Sequence, residues 1–293
     1  MTEPAATQRR LAAAQRYVEI GRPHEALEAL GGLDAEAART SYAVRLRGFA
    51  HFGAQEWDEA AGVARDGLED EPGDEGLLYL LSLAEEQRGD LAAAEAAILA
   101  ALAQDPEQPE LLAQYADVLM RAGQLDKAEQ VLGHAAAGDP DSPDVLGSRI
   151  SLAYLRHDRR EAERLTGELL AMDPESRRAH RMLGALALER GKPQVAEGHF
   201  GQAVRADPSD HQAAGYARVS RLLRNPLWWP SVFFDRFGVA ATWIGAMVVI
   251  FGLRGLGLDT ASAIATGAWL LVCVWSWIAT PLLNRRLKRE GVE

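Results

Sequence analysis

Small apolar residues recur through residue 200 at a constant interval of 34 residues. The column consists of Ala26, Ala60, Ala94, Ala128, Ala162 and Ala196. Four residues further on, the positions are again mostly apolar: Leu30, Ala64, Ile98, Leu132, Thr166 and Phe200. Residues four apart lie on one face of a helix, so each pair predicts a helix with a buried stripe that packs closely at the alanine.

Two further columns mark where these helices begin and end. Five residues before each alanine stands a turn position, which is glycine in four of six cases: Gly21, Gln55, Gly89, Gly123, His157 and Gly191. Prolines, each preceded by an acid, follow at Pro72, Pro106, Pro140, Pro174 and Pro208. Glycine favours the left-handed conformation after a helix, and proline stops a helix. Each period therefore predicts a first helix, a tight turn, a second helix and a stop.

A helix–turn–helix unit of 34 residues with these columns resembles the tetratricopeptide repeat (TPR). Six units run over 7–40, 41–74, 75–108, 109–142, 143–176 and 177–210. The resemblance implies an all-α, right-handed α-solenoid over residues 1–210, in which neighbouring units bury each other's apolar faces. Ala38, Gln55 and His157 depart from the pattern, which leaves the local turn geometry open. A helix over 211–225 is expected to cap the last unit.

After Pro226 the chain becomes strongly apolar. Residues 261–283 carry no charge, and at about 1.5 Å per residue they could cross a hydrocarbon core of about 30 Å. Residues 238–253 are also uncharged, but they are too few to cross the hydrocarbon core unless the helix includes adjacent residues. We therefore expect a hairpin of transmembrane helices at 238–258 and 260–283, preceded by an interfacial linker over 226–237. A buried C-terminal core hairpin is the alternative.

Tryptophan supports the membrane interpretation, because it is enriched at bilayer interfaces. Six of the seven tryptophans fall in this segment, and we expect them to anchor it: Trp228, Trp229, Trp243, Trp269, Trp275 and Trp277.

Charge divides the chain in the same place. Residues before 211 carry 22 basic and 38 acidic side chains, against nine and four afterwards, which argues against a nucleic-acid ligand. Basic residues flank both ends of the hairpin, including the tail 284–293, whereas its loop has only Arg254. The positive-inside rule therefore predicts that the repeats and both termini are cytoplasmic. Few lysines together with many alanines and arginines suggest a GC-rich bacterial genome, so we expect the membrane to be the bacterial inner membrane.

Patterns for catalysis or metal binding are absent from the sequence. The seven histidines show no H-x-x-x-H pair, and a single cysteine, Cys273, excludes an intrachain disulfide. Acid pairs such as Glu85–Glu86 are interpreted as solvated helix faces. We expect no enzyme activity, cofactor or metal.

The resemblance implies that certain first-helix positions face a binding groove. They are Tyr42, Arg45, Phe49, Phe52, Tyr79, Glu86, Met120, Arg121, Tyr154, Arg178 and Arg181. Aromatic residues and arginine are typical of interface hot spots, so a peptide with acidic and apolar residues would fit. Phe49, Phe52 and Tyr154 could instead pack between neighbouring first helices.

One known TPR ligand class is not expected. Co-chaperone repeats bind a C-terminal dicarboxylate through groove asparagines. The corresponding positions here hold Gln15, Phe49, Leu83, Asp117, Ser151 and Ala185.

Two functions fit these patterns. The first is a membrane-anchored TPR scaffold or adaptor that captures a protein or peptide in the groove at the cytoplasmic membrane surface. The alternative is an accessory or assembly subunit of a membrane protein complex that works mainly through the hairpin. Small residues at Ala241-x-x-x-Gly245 and Ala263-x-x-x-Gly267 would permit close helix contact.

Overall fold

The computed structural model describes residues 3–208, 210–224 and 239–289, and this part of the chain is all-α. It contains fifteen α-helices and a short 3₁₀ turn, Ala37–Arg39. The chain forms two compact units, one of Met1–Leu183 with Gln202–His211 and one of Gly184–Gly201 with Gln212–Glu293.

Each 34-residue period holds one pair of helices. The first helices are α1 (Glu3–Glu19), α3 (Ser41–Gly53), α5 (Glu75–Arg88), α7 (Pro109–Arg121), α9 (Pro143–Leu155) and α11 (Arg177–Glu189). The second helices are α2 (Pro23–Gly31), α4 (Trp57–Asp70), α6 (Leu91–Leu102), α8 (Leu125–Gly138), α10 (Arg159–Met172) and α12 (Pro193–Ala206). The recurring prolines lie between a second helix and the next first helix, as their stop function requires.

Acids and hydroxyls cap the beginnings of several of these helices. The Asp74 carboxylate accepts a hydrogen bond from the Leu77 N–H at 2.9 Å, and the Asp90 carboxylate accepts one from the Ala93 N–H at 3.0 Å. Such caps satisfy backbone donors that the first turn of a helix leaves unpaired.

The turn between the helices of a pair keeps one backbone conformation at every position of its column, including the exceptions. Gly89 and Gly123 have φ of 85° and 75°, and the non-glycine residues Gln55 and His157 have φ of 64° and 60°. The two departures therefore retain the turn geometry. A side chain in the left-handed region costs about 1–2 kcal/mol, so both positions carry backbone strain.

The alanine column lies inside the core. All six alanines are fully buried, and the residues four positions later are buried as well. Thr166, the polar member of that second column, donates its hydroxyl hydrogen bond to the Ala162 carbonyl at 2.5 Å. The hydroxyl is therefore satisfied locally inside the core.

A buried carboxylate connects two neighbouring repeats. Glu85 on α5 is fully buried, and it accepts hydrogen bonds from Arg65 on α4 and from Arg88, the latter at 2.5 Å. Arg88 also reaches Asp58 at 2.6 Å. The interpretation of Glu85–Glu86 as a solvated helix face is thus wrong, because Glu86 is 7% exposed and Glu85 is not exposed at all.

A thirteenth helix follows the repeats. It is α13 (His211–Leu223), which lies in the predicted capping segment 211–225. Phe200 stacks on Tyr216 at a ring-centroid distance of 5.3 Å, and Ala217 packs against the same cluster. The apolar end of α12 is therefore covered by α13.

The last two helices form an antiparallel hairpin. They are α14 (Val239–Gly255) and α15 (Asp259–Arg289). Trp243 packs edge-on against Trp269 at 5.8 Å, and the Ser262 hydroxyl donates to the Ile250 carbonyl at 3.1 Å.

The predicted transmembrane helices at 238–258 and 260–283 are not supported as such. Within the described residues, no helix combines the length and the apolar character needed to cross a membrane. For α14 the length is decisive, because 17 residues extend about 26 Å against a core of about 30 Å. The predicted linker 226–237, with Trp228 and Trp229, lies outside the described residues, as do residues 290–293 of the predicted tail and the side chain of Trp277.

Candidate functional site

Four consecutive first helices bring polar side chains together on one face. We call this set the groove network: Tyr79, Ser82, Glu86, Glu110, Gln114, Asp117, Arg121, Asp144, Ser148 and Arg178. Within each helix the members are three, four or seven residues apart, the spacing of a single helix face. The network therefore extends across α5, α7, α9 and the beginning of α11.

Glu86 is the most buried carboxylate of the network. The Gln114 amide donates to Glu86 at 2.9 Å and to the Ser82 hydroxyl at 3.3 Å, while Arg121 reaches Glu86 at 3.4 Å. Burial raises the pKa of Glu86 above its usual value, and the charge of Asp117 adds to the shift. One amide and one longer arginine contact leave this carboxylate incompletely compensated.

Asp117 is joined to a repeat two units further along the chain. The Arg178 guanidinium contacts the Asp117 carboxylate at 2.9 Å and the Ser148 hydroxyl at 3.4 Å. Burial nevertheless raises the pKa of Asp117, because desolvation outweighs the attraction of Arg178. This pair links the first helices α7 and α11 across α9.

Tyr79 connects the aromatic and acidic parts of the face. Its hydroxyl donates to Glu110, and its ring lies 6.5 Å from that of Phe49. Burial raises the pKa of the Tyr79 phenol far above its usual value, and the charges of Glu110 and Asp144 add to this. Partial desolvation of the solvent-exposed Glu110 also raises its pKa, with the charge of Asp144 again contributing. The phenol therefore stays a proton donor at physiological pH.

The remaining predicted groove residues on α3 have different surroundings. Tyr42 is exposed and donates its hydroxyl to Gln15 at 2.7 Å. Arg45 lies 3.6 Å from Asp74. Phe52 packs on Trp57 at 4.9 Å, which places it in the contact between helices.

The predicted residues of the later repeats also separate into two groups. Arg181 lies 3.6 Å from Asp210, and Tyr154 is half-buried. Met120 packs in the hydrophobic core at 7% exposure, so its side chain does not face the predicted groove.

Sequence reasoning missed the polar residues that hold the network together, namely Ser82, Glu110, Gln114, Asp144 and Ser148. A signal for two of them was present, since Gln114 and Ser148 occupy the same position in consecutive units. A polar side chain repeated on a face that packs against a neighbouring helix predicts a hydrogen-bonded role. Both side chains are buried here.

Away from this face, a cleft of about 530 Å³ lies between α8, α9 and α10. Its walls combine apolar residues with three acids and two arginines. The arginines are already ion-paired: Arg149 lies 4.0 Å from Glu161 and Arg156 lies 2.8 Å from Glu129. Across the described residues, no group of His, Cys, Asp and Glu side chains is placed to hold a metal ion.

Repeated helix pairs with a side-chain network along their first helices define a helical-repeat protein of the kind that binds other proteins. Two profiles described as tetratricopeptide repeat match this chain, one over residues 87–149 and one over 46–109 and 148–211. The chain belongs to the tetratricopeptide repeat family, whose members generally mediate protein–protein interaction.

Solved structures agree on the fold. A thermophilic TPR protein of Thermus thermophilus is 18% identical with a TM-score of 0.55, covering 62% of this chain and 100% of its own. The APC/C hetero-tetramer Cut9–Hcn1 has a chain that is 13% identical with a TM-score of 0.55, covering 73% of this chain and 42% of its own. At these identities the likeness concerns the fold alone. No curated protein sequence matches the chain.

Proposed function

We propose that this protein is a TPR scaffold that binds a segment of a protein partner along the groove network and works at a lipid bilayer. Tethering is the mechanism. A partner held near a surface has a higher effective concentration for complexes in that membrane, so its apparent affinity rises without new contacts.

The groove network is the observation that supports partner binding. It combines hydrogen-bonding groups, charges and the Phe49–Tyr79 aromatic pair on helices that the core holds in place. Rigidly positioned aromatic and charged side chains lose little entropy when a partner binds, and they contribute most of the energy of known interfaces.

The exposed apolar surface of the hairpin supports its attachment to a bilayer. Among the described residues, every large apolar side chain that is more than 50% exposed lies in α14, α15 or the turn between them. Val248 is 66% exposed and Leu271 is 73% exposed, whereas Leu99 on α6 is 44% exposed. Contiguous apolar surface of this kind marks a contact with lipid or protein. Basic residues at both ends of the hairpin would meet anionic lipid on the cytoplasmic side.

Partner binding can be tested by photocrosslinking in cells. A photoreactive residue would be placed at Leu83, between Tyr79 and Glu86 on the groove face, and in a control protein at Glu69, an exposed position on the second helix α4. We expect one dominant protein adduct from position 83 that is absent from position 69. Equal or absent adducts at both positions would overturn groove binding.

Bilayer attachment can be tested by cell fractionation. The double variant Val248→Lys, Leu271→Lys introduces two charges into the exposed apolar surface of the hairpin, which membrane insertion disfavours by several kcal/mol. We expect most of the variant to leave the membrane fraction, while the control Leu99→Lys stays with it. If the unchanged protein is recovered without membranes, the bilayer proposal fails.

The assembly-subunit alternative also has an observation in its favour. A Cβ added at Gly245 or Gly267 would meet no atom within 4 Å, so these small positions of the hairpin are open to another helix. Exchange of residues 225–293 for an unrelated two-helix membrane anchor separates the two functions. Retained activity favours the scaffold, and lost activity with intact membrane attachment favours the subunit.

A further inference from the structure

The arginines of the predicted groove already have partners within the protein. Arg45 pairs with Asp74 at 3.6 Å, and Arg121 pairs with Glu86 at 3.4 Å. The later pairs are Arg178–Asp117 at 2.9 Å and Arg181–Asp210 at 3.6 Å. Each positive charge is therefore offset, and an acidic partner would have to compete with an internal carboxylate for every one of them.

Two acids on the same face have no basic side chain close enough to neutralise them in the part of the chain that the structure describes. Glu110 and Asp144 occupy the same position at the beginnings of α7 and α9, and both are exposed. No basic side chain of the described residues lies within 4.0 Å of either carboxylate. From the neighbouring first helix α5, the Tyr79 hydroxyl donates to Glu110, and the charge of Glu75 also acts on it. The free charge of the network is negative.

Arg178 shows how this face holds a cation. Its guanidinium contacts the Asp117 carboxylate, the Ser148 hydroxyl and, at 3.2 Å, the Asp144 carbonyl. Its side chain lies directly over Gly147, where an added Cβ would be 2.2 Å from Arg178 Cδ. The backbone of α9 therefore leaves room for the aliphatic part of an arginine, and three acceptors surround the charged end.

One repeat earlier, the site of the arginine is not repeated. The positions of Asp117 and Gly147 are held there by Leu83 and Ala113. The position that Arg178 holds at the beginning of α11 is held at the beginning of α9 by Asp144, an acid. The beginning of α9 therefore offers a carboxylate, and not a guanidinium, to a ligand on this face.

We infer that the groove network receives an arginine or lysine side chain of the protein partner, placed between Glu110 and Asp144 and beside Glu86. This inference rests on the proposed groove binding and defines the partner's chemistry. The Phe49–Tyr79 pair offers an adjoining surface for an apolar neighbour of that residue. The partner segment is thus basic and apolar, in place of the acidic and apolar segment that the arginines alone suggested.

A peptide selection on the full-length protein tests this inference. A phage-displayed library of random peptides would be panned against the unchanged protein and against Glu110→Gln, Asp144→Asn. We expect several-fold enrichment of arginine and lysine with the unchanged protein. Selected peptides should lose about tenfold in affinity on the double variant, since an interfacial charge pair contributes about 1.5 kcal/mol or more. Both positions are exposed, so circular dichroism should show an intact fold.

The matched control is Asp66→Asn, Glu69→Gln, which removes two exposed acids from the second helix α4. It should bind the selected peptides as the unchanged protein does. Arg178→Gln supplies a second test with the opposite sign, because Asp117 is released from its internal cation and the network gains negative charge. We expect severalfold tighter binding of the basic peptides, and unchanged or weaker binding would count against the inference.

The two proposals fail in different ways. Enrichment of acidic or uncharged peptides whose binding is blocked by Leu83→Glu would overturn the basic partner and leave groove binding intact. Selection of no peptide that depends on the groove network would overturn both.

Discussion

Glu85 and Glu86 are neighbours in the sequence, and the structure places them in opposite surroundings. Glu85 points between α4 and α5, where Arg65 and Arg88 both bond to it. Glu86 points to the groove face, where it has an amide and one longer arginine contact. Both are buried, but only the first carboxylate is matched by two guanidinium groups.

The difference separates a structural charge from one that a partner can use. A buried carboxylate with two close arginines is satisfied within the protein, and its loss breaks a contact between repeats. A buried carboxylate with weak compensation raises the free energy of the unbound protein. A cation from a partner would lower it, which gives the groove face a preference for basic ligands.

The largest expected effect is a difference in the stability that the protein loses when Glu85 or Glu86 is replaced. Glu85→Gln should lower the free energy of unfolding by about 3 kcal/mol, because each hydrogen bond to a charged group contributes about 1.5–3 kcal/mol and two arginines lose theirs. Glu86→Gln should change it by less than about 0.5 kcal/mol, since the neutral amide avoids the cost of burying a charge. Urea unfolding of the two variants measures the difference, and equal losses would refute the comparison.

A pH series should show a second, smaller difference. As the pH falls toward the raised pKa values of Glu86, Glu110 and Asp117, these carboxyls take up protons and stop attracting a cation. Affinity for a basic peptide should therefore fall by up to about tenfold between pH 7.5 and pH 5, equivalent to about 1.4 kcal/mol.

Unfolding would not explain this fall in affinity at low pH, because protonation of these three acids stabilises the folded protein. An acid whose pKa is higher in the folded protein than in the unfolded chain stabilises the fold as the pH falls through the interval between the two values. The groups that face these carboxyls are Glu75, Tyr79, Gln114, Arg121, Asp144, Ser148 and Arg178. The Tyr79 phenol keeps its proton throughout, because burial raises its pKa. Affinity that is independent of pH would contradict the role of the three acids.

The smallest expected effect concerns the left-handed turns between the two helices of a pair. Gln55→Gly and His157→Gly should each raise the free energy of unfolding by about 1 kcal/mol, because glycine adopts positive φ without strain. Gly89→Ala should lower it by a similar amount through strain alone, since its added Cβ meets no atom within 4 Å. Chemical denaturation of the three variants provides the check, and unchanged glycine variants would show that the strain is relieved elsewhere.

The helix pairs were predictable because their signals are local. The alanine column, the turn residues and the prolines each act within a few residues of their own position, and the six buried alanines follow directly from the 34-residue period. The left-handed turns at Gln55 and His157 were not predictable from residue type. Packing of the helix pair sets that backbone conformation and overrides the preference of the side chain.

The ion pairs could not be inferred in the same way. Arg178 and Asp117 are 61 residues apart and meet across an intervening repeat, so no sequence spacing reveals that the arginine is already occupied. The register places Met120 on the groove face, yet its side chain turns into the core because a long apolar residue gains more there. Charge sign in the groove is therefore a property of the folded chain.

The most direct test of the account is the yield of the crosslinked adduct from Leu83 in cells, compared between the unchanged protein and Glu110→Gln, Asp144→Asn. The control variant Asp66→Asn, Glu69→Gln would be measured in parallel. A partner held by a basic residue should give an adduct that falls about tenfold in the groove variant and stays constant in the control. An adduct of equal yield in all three proteins would contradict the claim that the groove acids bind the partner.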